Sequence, residues 1–471
     1  MSNQRNSNVM TGDTSRPAAR PKIAELRALL PAQVVAPGDA QYETARAVAV
    51  DIDDSMPAAI VRVTSAEDVA GVIDFARTHG FDMAVRSGGH SGSGHGTIDG
   101  GIVIDLRGLA TVSVDPKAKT VWAGGGASSG DVLRAAAEHG LVVPLGDTAT
   151  VGIGGITAGG GVGYLSRLHG LTIDNLLAAE VVLADGRIVL TDAQREPDLF
   201  WAIRGGGGNF GVVTRFLFQA TPLGEVTGGM LVIPADAATI AGFVQAAQNA
   251  PEELGAIATV MPAFPAPFIP EAYRGRPMIM ATMAFAGPAD AAESAIAPFR
   301  ALAKPFLDTI KRGPYLNLYP NEENPRPGMP EQTTMFVNEI DEAAAQTIID
   351  FLNNSDSVVR MVQFRVLGGA VNRVAADATA YAHRASAIML YMLNFWRTPT
   401  ERPKRRQWLT DLTAALQQGD DGLYANFLGD AGPDQVRAAY PGATWQRLRQ
   451  VKRRYDPSNA FRRNHNIPPA E

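Results

Sequence analysis

No cysteine occurs among the 471 residues. Disulfides, thiolate nucleophiles, zinc–thiolate sites and iron–sulfur clusters are thereby excluded. So is any thioether bond to a cofactor. No apolar run reaches the roughly 18 residues of a membrane span, so no membrane partner is expected. The first twenty residues lack the apolar core of a secretory leader; residues 1–21 are expected to be a disordered tail and the protein cytoplasmic. Positive charge is also short. A net charge of −6 offers no support for a nucleic-acid partner. There is no Walker A loop, no H-E-x-x-H helix and no G-x-S-x-G turn, and no metal site is expected. Internal repeats are absent.

What is plentiful is apolar residue and glycine. Hydrophobic residues make up 46% of the chain, enough for large cores. "KIAELRALL" reads as a short amphipathic helix with Ile23, Leu26, Leu29 and Leu30 on one face. "AAIVRVTS" reads as a strand, followed by a helix with Ser65 as N-cap and Gly80 as stop. "DMAVR", "GIVIDL" and "TVWAGGG" read as strands, and "SSGDVLRAAAEHG" as a capped helix. Asp185-Gly186 splits two β-branched runs and predicts a hairpin. After about residue 222 longer strands and helices alternate, as in a second α+β unit on an antiparallel sheet. Strand alternation puts Gln363 and Arg365 on one face, and Tyr391 and Leu393 on a face opposite Asn394. The basic start of "PTERPKRRQWLTDLTAALQQ" predicts a solvated helix face rather than a binding patch.

Glycine concentrates in three places. "RSGGHSGSGHGT" follows a predicted strand, and "VGIGGITAGGGVGYLSRLHG" and "RGGGGNFGVV" lie further on. Each glycine costs ordering entropy, so the clusters make sense where backbone must approach a large ligand. They are not a Rossmann fingerprint, because no helix opens after "MAVRSGGHSGSG". A nest of successive N–H groups from Ser87 to Gly92 could instead wrap a pyrophosphate. For His90 two readings stand: a loop histidine bonded to backbone, or a residue with chemistry of its own. His383, in "YAHR", is read as fixing local structure, with Arg384 pairing an acid, and as a lesser candidate base.

Four motifs occur in order: "VRSGGHS", "VGIGGITAGGGVGYLSRLHGLTIDNL", "FWAIRGGGGNFGVVT" and "YANFLGD…YDPSNAFRRNHNIPP". Together they resemble the berberine-bridge-enzyme-like branch of the FAD-linked oxidases, over nearly the whole chain from about residue 22. The resemblance implies an α+β, two-domain FAD-linked oxidase fold. An FAD-binding domain would span 22–220, an antiparallel-sheet substrate domain with helices 221–429, and a C-terminal segment 430–471 would return to the first. It implies FAD bonded covalently through the 8α-methyl group to His90. Arg86, Ser87, Gly88, Gly89, Ser91 and Gly92 would form the cradle. Further cofactor contacts are implied at Gly146, Thr148, Val151, Gly152, Gly155, Gly159 and Val162, and at Asn209, Val213, Tyr424, Asn426 and Asn464. His95 has no implied role and is read as structural.

Three departures from the family pattern bear on mechanism. Thr148 stands where many relatives place a second flavin tether, a cysteine, so no cysteinyl bond is possible. Val162 and Phe427 stand where sugar- and alcohol-oxidising relatives carry tyrosines, the second of them the general base. The residues left to act on substrate are Tyr391, Tyr424, Gln363 and Asn426. The expected activity is therefore an oxidase of an amine, a hydroxylated heterocycle or a secondary-metabolite alcohol. Hydride would pass to the flavin and O2 would restore it, releasing H2O2. Alternatives are a dehydrogenase with another acceptor, a carbohydrate or alcohol oxidase with a substitute tyrosine base, and an idle FAD-binding protein. The partners implied are a small-molecule substrate and O2; no oligomeric state is implied.

Overall fold

The computed structural model describes residues 19–30, 34–319 and 328–471. Most of the expected tail, residues 1–18, lies outside the described residues. The first helix, Ala19–Leu29, buries Ile23 and Leu26, but Leu29 is 61% exposed, contrary to the expectation. Leu30 packs on the core from beyond the helix end.

Local chemistry sets the next elements. Helix Ala66–His79 starts at a capping box of Ser65 and Asp68 and ends at Gly80, in the left-handed region at φ 72°. Around it, strands Val34–Val35, Ala59–Arg62, Ile102–Asp105 and Met83–Arg86 form a sheet in that spatial order. Ile102–Asp105 runs parallel to both of its neighbours. A second sheet is wholly antiparallel, in the order Val112–Asp115, Thr120–Gly124, Val212–Gln219, Leu176–Val182, Ile188–Asp192. Its last pair is the hairpin turned at Asp185-Gly186. Ser128 and Asp131 form the second capping box, opening helix Ser129–Ala137.

The third sheet is long and antiparallel. Its main strands are Val226–Pro234, Pro277–Phe285, Leu254–Pro262, Arg360–Val366, Ile388–Trp396 and Met329–Val337, in spatial order. Leu231, Val260, Val362, Leu390 and Met392 point to one face and pack under helices Ala237–Asn249, Glu342–Asn353 and Arg402–Ala415. The other face carries Thr259, Gln363, Arg365, Tyr391 and Leu393. Tyr391 stands directly across from Gln363. Asn394 is fully buried on the helix side, where its Nδ2 donates to the Arg405 carbonyl. The basic start of the last helix is consumed in ion pairs: Arg402 with Glu331 and Asp430, and Lys404 and Arg405 with Asp356. Helices and sheets are mixed, as the expected α+β class requires. Among the described residues no helix is long and apolar enough to cross a membrane, and no cluster of three metal-ligating side chains occurs.

The C-terminal segment returns to the first half through one buried cation. Lys452, on helix Ala443–Tyr455, is wholly inaccessible. Its Nζ donates to the Asn209 carbonyl (2.7 Å), Asp456 Oδ2 (2.7 Å) and the Phe461 carbonyl (2.9 Å), which uses all three of its protons. Asp456 in turn accepts from the amides of Ala460 and Phe461. Breaking a buried pair by removing one partner typically costs about 3–5 kcal/mol. Lys452→Met is expected to destabilise the protein by that order in urea unfolding, and Lys452→Met with Asp456→Asn by less. Equal losses in the single and double variants would show that the charge pairing contributes nothing.

Candidate functional site

Strand Met83–Arg86 delivers its chain into the first glycine cluster, where backbone meets backbone. A Cβ on Gly152 would collide with the amide of Gly88, and one on Gly88 with that of Gly152. Only glycine permits this approach. Ser87 Oγ pins it, donating to the Gly125 carbonyl (2.7 Å) and accepting from the Gly154 amide (3.3 Å). Beneath lies Arg86, 1% exposed, donating through Nη2 to Asp105 (3.0 Å) and the Ala45 carbonyl (2.7 Å).

These loops wall a cavity of about 560 Å³ that runs to the polar face of the long sheet. His90 lines it. So do the other cofactor residues expected from the sequence, except Gly146. Gly146 sits behind the wall, where its carbonyl accepts from the Tyr319 hydroxyl at 2.7 Å and a Cβ would strike Ile156. Asn209 lines the cavity, yet its side chain is spent on protein. Nδ2 donates to the carbonyls of Gly206 and His465, and Oδ1 accepts from the Ile467 amide. It therefore holds the C-terminal segment in place.

The cavity fits a dinucleotide on two grounds. Part of its wall is backbone packed so closely that a Cβ at Gly88, Gly92, Gly152 or Gly159 would collide. Two residues that line it also carry buried polar atoms with no partner among the described residues: Arg86 Nε and Nη1, and Asn464 Oδ1. Unpaired buried polar groups are costly, and a polar ligand would satisfy them.

At the sheet end the side chains form one connected set. Tyr391 donates its hydroxyl to Gln332 Oε1 (2.9 Å), and Gln332 Nε2 donates to the Phe427 carbonyl (3.2 Å). Gln332 also presses on Gly92, where a Cβ would collide with its amide. The Phe427 ring is stacked on Tyr391 (centroids 4.7 Å apart), with the Arg365 guanidinium 4.8 Å from its centre. Arg365 donates to Asp147 Oδ2 (2.6 Å), Gln363 Oε1 (3.0 Å) and the Val162 carbonyl (3.1 Å). Tyr424 Oη accepts from the Gly161 amide (2.9 Å) and Asn426 Nδ2 (3.0 Å), and burial pushes its phenol above the ordinary range.

Sequence reasoning missed Gln332, Asp147, Arg463 and His465, all of which line the cavity. Asp147 was adjacent to a residue already singled out. Gln332 carries no local signal, since its partners are 59 and 95 residues away. His383 is no part of the cavity: buried against Phe336, it bonds the Ala439 carbonyl. Arg384 pairs Asp174 at 2.7 Å.

Residues 57–192 match the FAD binding domain family and residues 423–468 the "Berberine and berberine like" family. The chain is 30% identical to the FAD-linked oxidoreductase YgaK of Bacillus subtilis, over 93% of this chain and 97% of that one. It is 29% identical to (R)-6-hydroxynicotine oxidase of Paenarthrobacter nicotinovorans, over 93% and 96%. The crystal structure of 6-hydroxy-D-nicotine oxidase from Arthrobacter nicotinovorans superposes with a TM-score of 0.84 at 27% identity, covering 94% of this chain and 98% of that one. The chain belongs to the berberine-bridge-enzyme-like FAD-linked oxidoreductases. It is an FAD-dependent oxidoreductase.

His95, read as structural, meets His465 edge-on, with ring centroids 4.8 Å apart. Burial drives both imidazoles down, His95 well below its ordinary value and His465 to about 4. A base whose folded pKa is depressed is neutral in the fold and protonated in the unfolded chain over the interval between the two values. Stability is thus intact above about pH 6.5 and lost as pH falls from there toward 4, by roughly 1.4 kcal/mol per unit for each histidine. The melting temperature of His465→Gln should vary less between pH 6.5 and 4 than that of the wild type. Parallel curves would show that this pair does not set the acid limb.

Proposed function

We propose that the protein is an oxidase carrying FAD bonded to His90 alone, acting on a small amine, hydroxylated heterocycle or secondary-metabolite alcohol, with O2 as acceptor. Residues 22–220 and 430–471 would carry the cofactor and 221–429 the substrate face. The observation that carries this reading is the cavity itself, with the His90 loop at one wall and the polar face of the long sheet at the other. Bound there, FAD would supply the hydride acceptor.

The chain's own residues have separable tasks. The Ser87–Gly92 backbone and Arg86 would hold the pyrophosphate, and Asn464 Oδ1 a donor of the cofactor. Tyr424 is held neutral by burial, and its oxygen is occupied by two donors. This suits orienting Asn426 and the Gly161 turn better than taking a proton. Tyr391 is aimed by Gln332 and stacked on Phe427, which fixes it at the sheet side of the cavity. Gln363 is clamped between Thr259 and Arg365 and can offer an amide to a bound heteroatom. Val162 and Phe427 make the site more apolar, which favours the neutral form of an amine substrate.

Two measurements test the reading. Acid precipitation should leave the yellow colour in the pellet for the wild type and release it to the supernatant for His90→Ala; colour kept in that variant's pellet contradicts the assignment. A panel of 1-phenylethanol, N-methylbenzylamine, N,N-dimethylbenzylamine, (R)-6-hydroxynicotine and cellobiose, followed by peroxide release, should show turnover on an amine or aryl alcohol. Rapid turnover of cellobiose alone, abolished in Tyr391→Phe with flavin retained, would assign the tyrosine-base alternative instead.

A further inference from the structure

Hydride removal from a carbon bearing O–H or N–H leaves a protonated carbonyl or imine unless that proton departs. The two positions from which a tyrosine base is missing, 162 and 427, both touch one side chain. Arg365 donates to the Val162 carbonyl at 3.1 Å and lies 4.8 Å from the centre of the Phe427 ring. A guanidinium cannot accept a proton. Its counter-ion can. Asp147 Oδ2 lies 2.6 Å from Arg365 Nη2, with its side chain 23% exposed while that of Arg365 is 5% exposed.

Asp147 is the one carboxylate among the described residues that line the cavity. The other ionisable groups there are engaged or inert. Tyr391 donates to Gln332, and Tyr424 accepts two hydrogen bonds. Tyr440 is buried with its phenol pushed up, and His95 and His465, half-buried and edge-on to each other, are both driven down in basicity. Among the described residues Asp147 Oδ1, by contrast, meets the hydroxyl of its own neighbour, Thr148, at a long 3.3 Å.

We propose that Asp147 is the proton acceptor for the substrate, held at its post by Arg365; this rests on the oxidase reading above. The balance is simple. With bound FAD supplying the hydride acceptor, loss of the C–H electron pair from H–C–X–H would be matched by movement of the X–H proton to an Asp147 carboxylate oxygen. The X–H pair becomes the second bond of C=X. An oxygen-protonated carbonyl is a far stronger acid than a carboxylic acid, so a carboxylate already paired with a guanidinium still accepts its proton. Arg365 is a positioning residue, its own three contacts fixing where Asp147 stands. The inferred specificity follows: an alcohol uses Asp147, whereas an amine does not depend on it, because an iminium N–H is a far weaker acid than a carboxylic acid and a tertiary amine has no such proton to give.

The test is anaerobic flavin reduction in wild-type and Asp147→Asn holoenzyme by 1-phenylethanol and N,N-dimethylbenzylamine. The alcohol-to-tertiary-amine rate ratio should fall roughly 10²- to 10⁴-fold in the variant. The dissociation constant for the alcohol, read from perturbation of the flavin spectrum, should move far less. Formate should restore part of the alcohol rate to Asp147→Ala. An unchanged ratio overturns the proposal, as does a wild type reduced by the tertiary amine and not by the alcohol. Where the alcohol alone reduces the wild type, absence of formate rescue overturns it. If Asp147→Asn fails to fold around an unpaired Arg365, the double variant Asp147→Asn/Arg365→Gln carries the same measurements. A wild type reduced by no compound of the panel contradicts the oxidase reading itself, before any variant is made.

Discussion

The site depends on a contact between two stretches of bare backbone. Gly88 and Gly152 approach so closely that a methyl group on either would strike the other's amide. Ser87, Gly125 and Gly154 lock that contact with hydrogen bonds through one hydroxyl. Because the approach is backbone to backbone, the strand Met83–Arg86 and the helix Ile153–Gly159 are held in fixed relation, and the loop bearing His90 has one place to lie. Glycine at 88 and 152 is what that geometry requires, and Arg86 and Asn464 beside it keep polar atoms unpaired among the described residues.

The opposite wall follows from strand periodicity. Alternation along Arg360–Val366 and Ile388–Trp396 sends Val362, Leu390 and Met392 under the helices and leaves Gln363, Arg365 and Tyr391 facing the glycine wall. With valine at 162 and phenylalanine at 427, this region carries an arginine against an aromatic ring and a carboxylate that pairs the arginine.

Much of this was legible before any coordinates, for local reasons. Ser65 and Gly80, and the Asp185-Gly186 turn, act through neighbours two to four residues away, so their signals are written in short stretches of sequence. The ordered motifs carried the cofactor loops as a set. What was illegible depends on distant partners. Gly146 looked like its neighbours in a glycine-rich run, but Tyr319, 173 residues on, turns its carbonyl away from the cavity. Asp147 and Arg365 are 218 residues apart, and nothing local to either announces the pair. Asn209 has the composition of a ligand-binding turn residue, yet it is the C-terminal segment, more than 250 residues later, that takes up its side chain. Leu29 was misplaced because helical periodicity specifies a face without specifying how far the neighbouring surface extends.

The central claim is that the first glycine loop exists to present His90 to the flavin. Peptide mapping of the purified holoprotein by mass spectrometry tests it most directly. The account predicts a single flavin-bearing tryptic peptide, residues 87–107, heavier by the mass of FAD less two hydrogens and fragmenting with the flavin on His90. Flavin recovered wholly free after denaturation, or carried by a peptide other than 87–107, would contradict it.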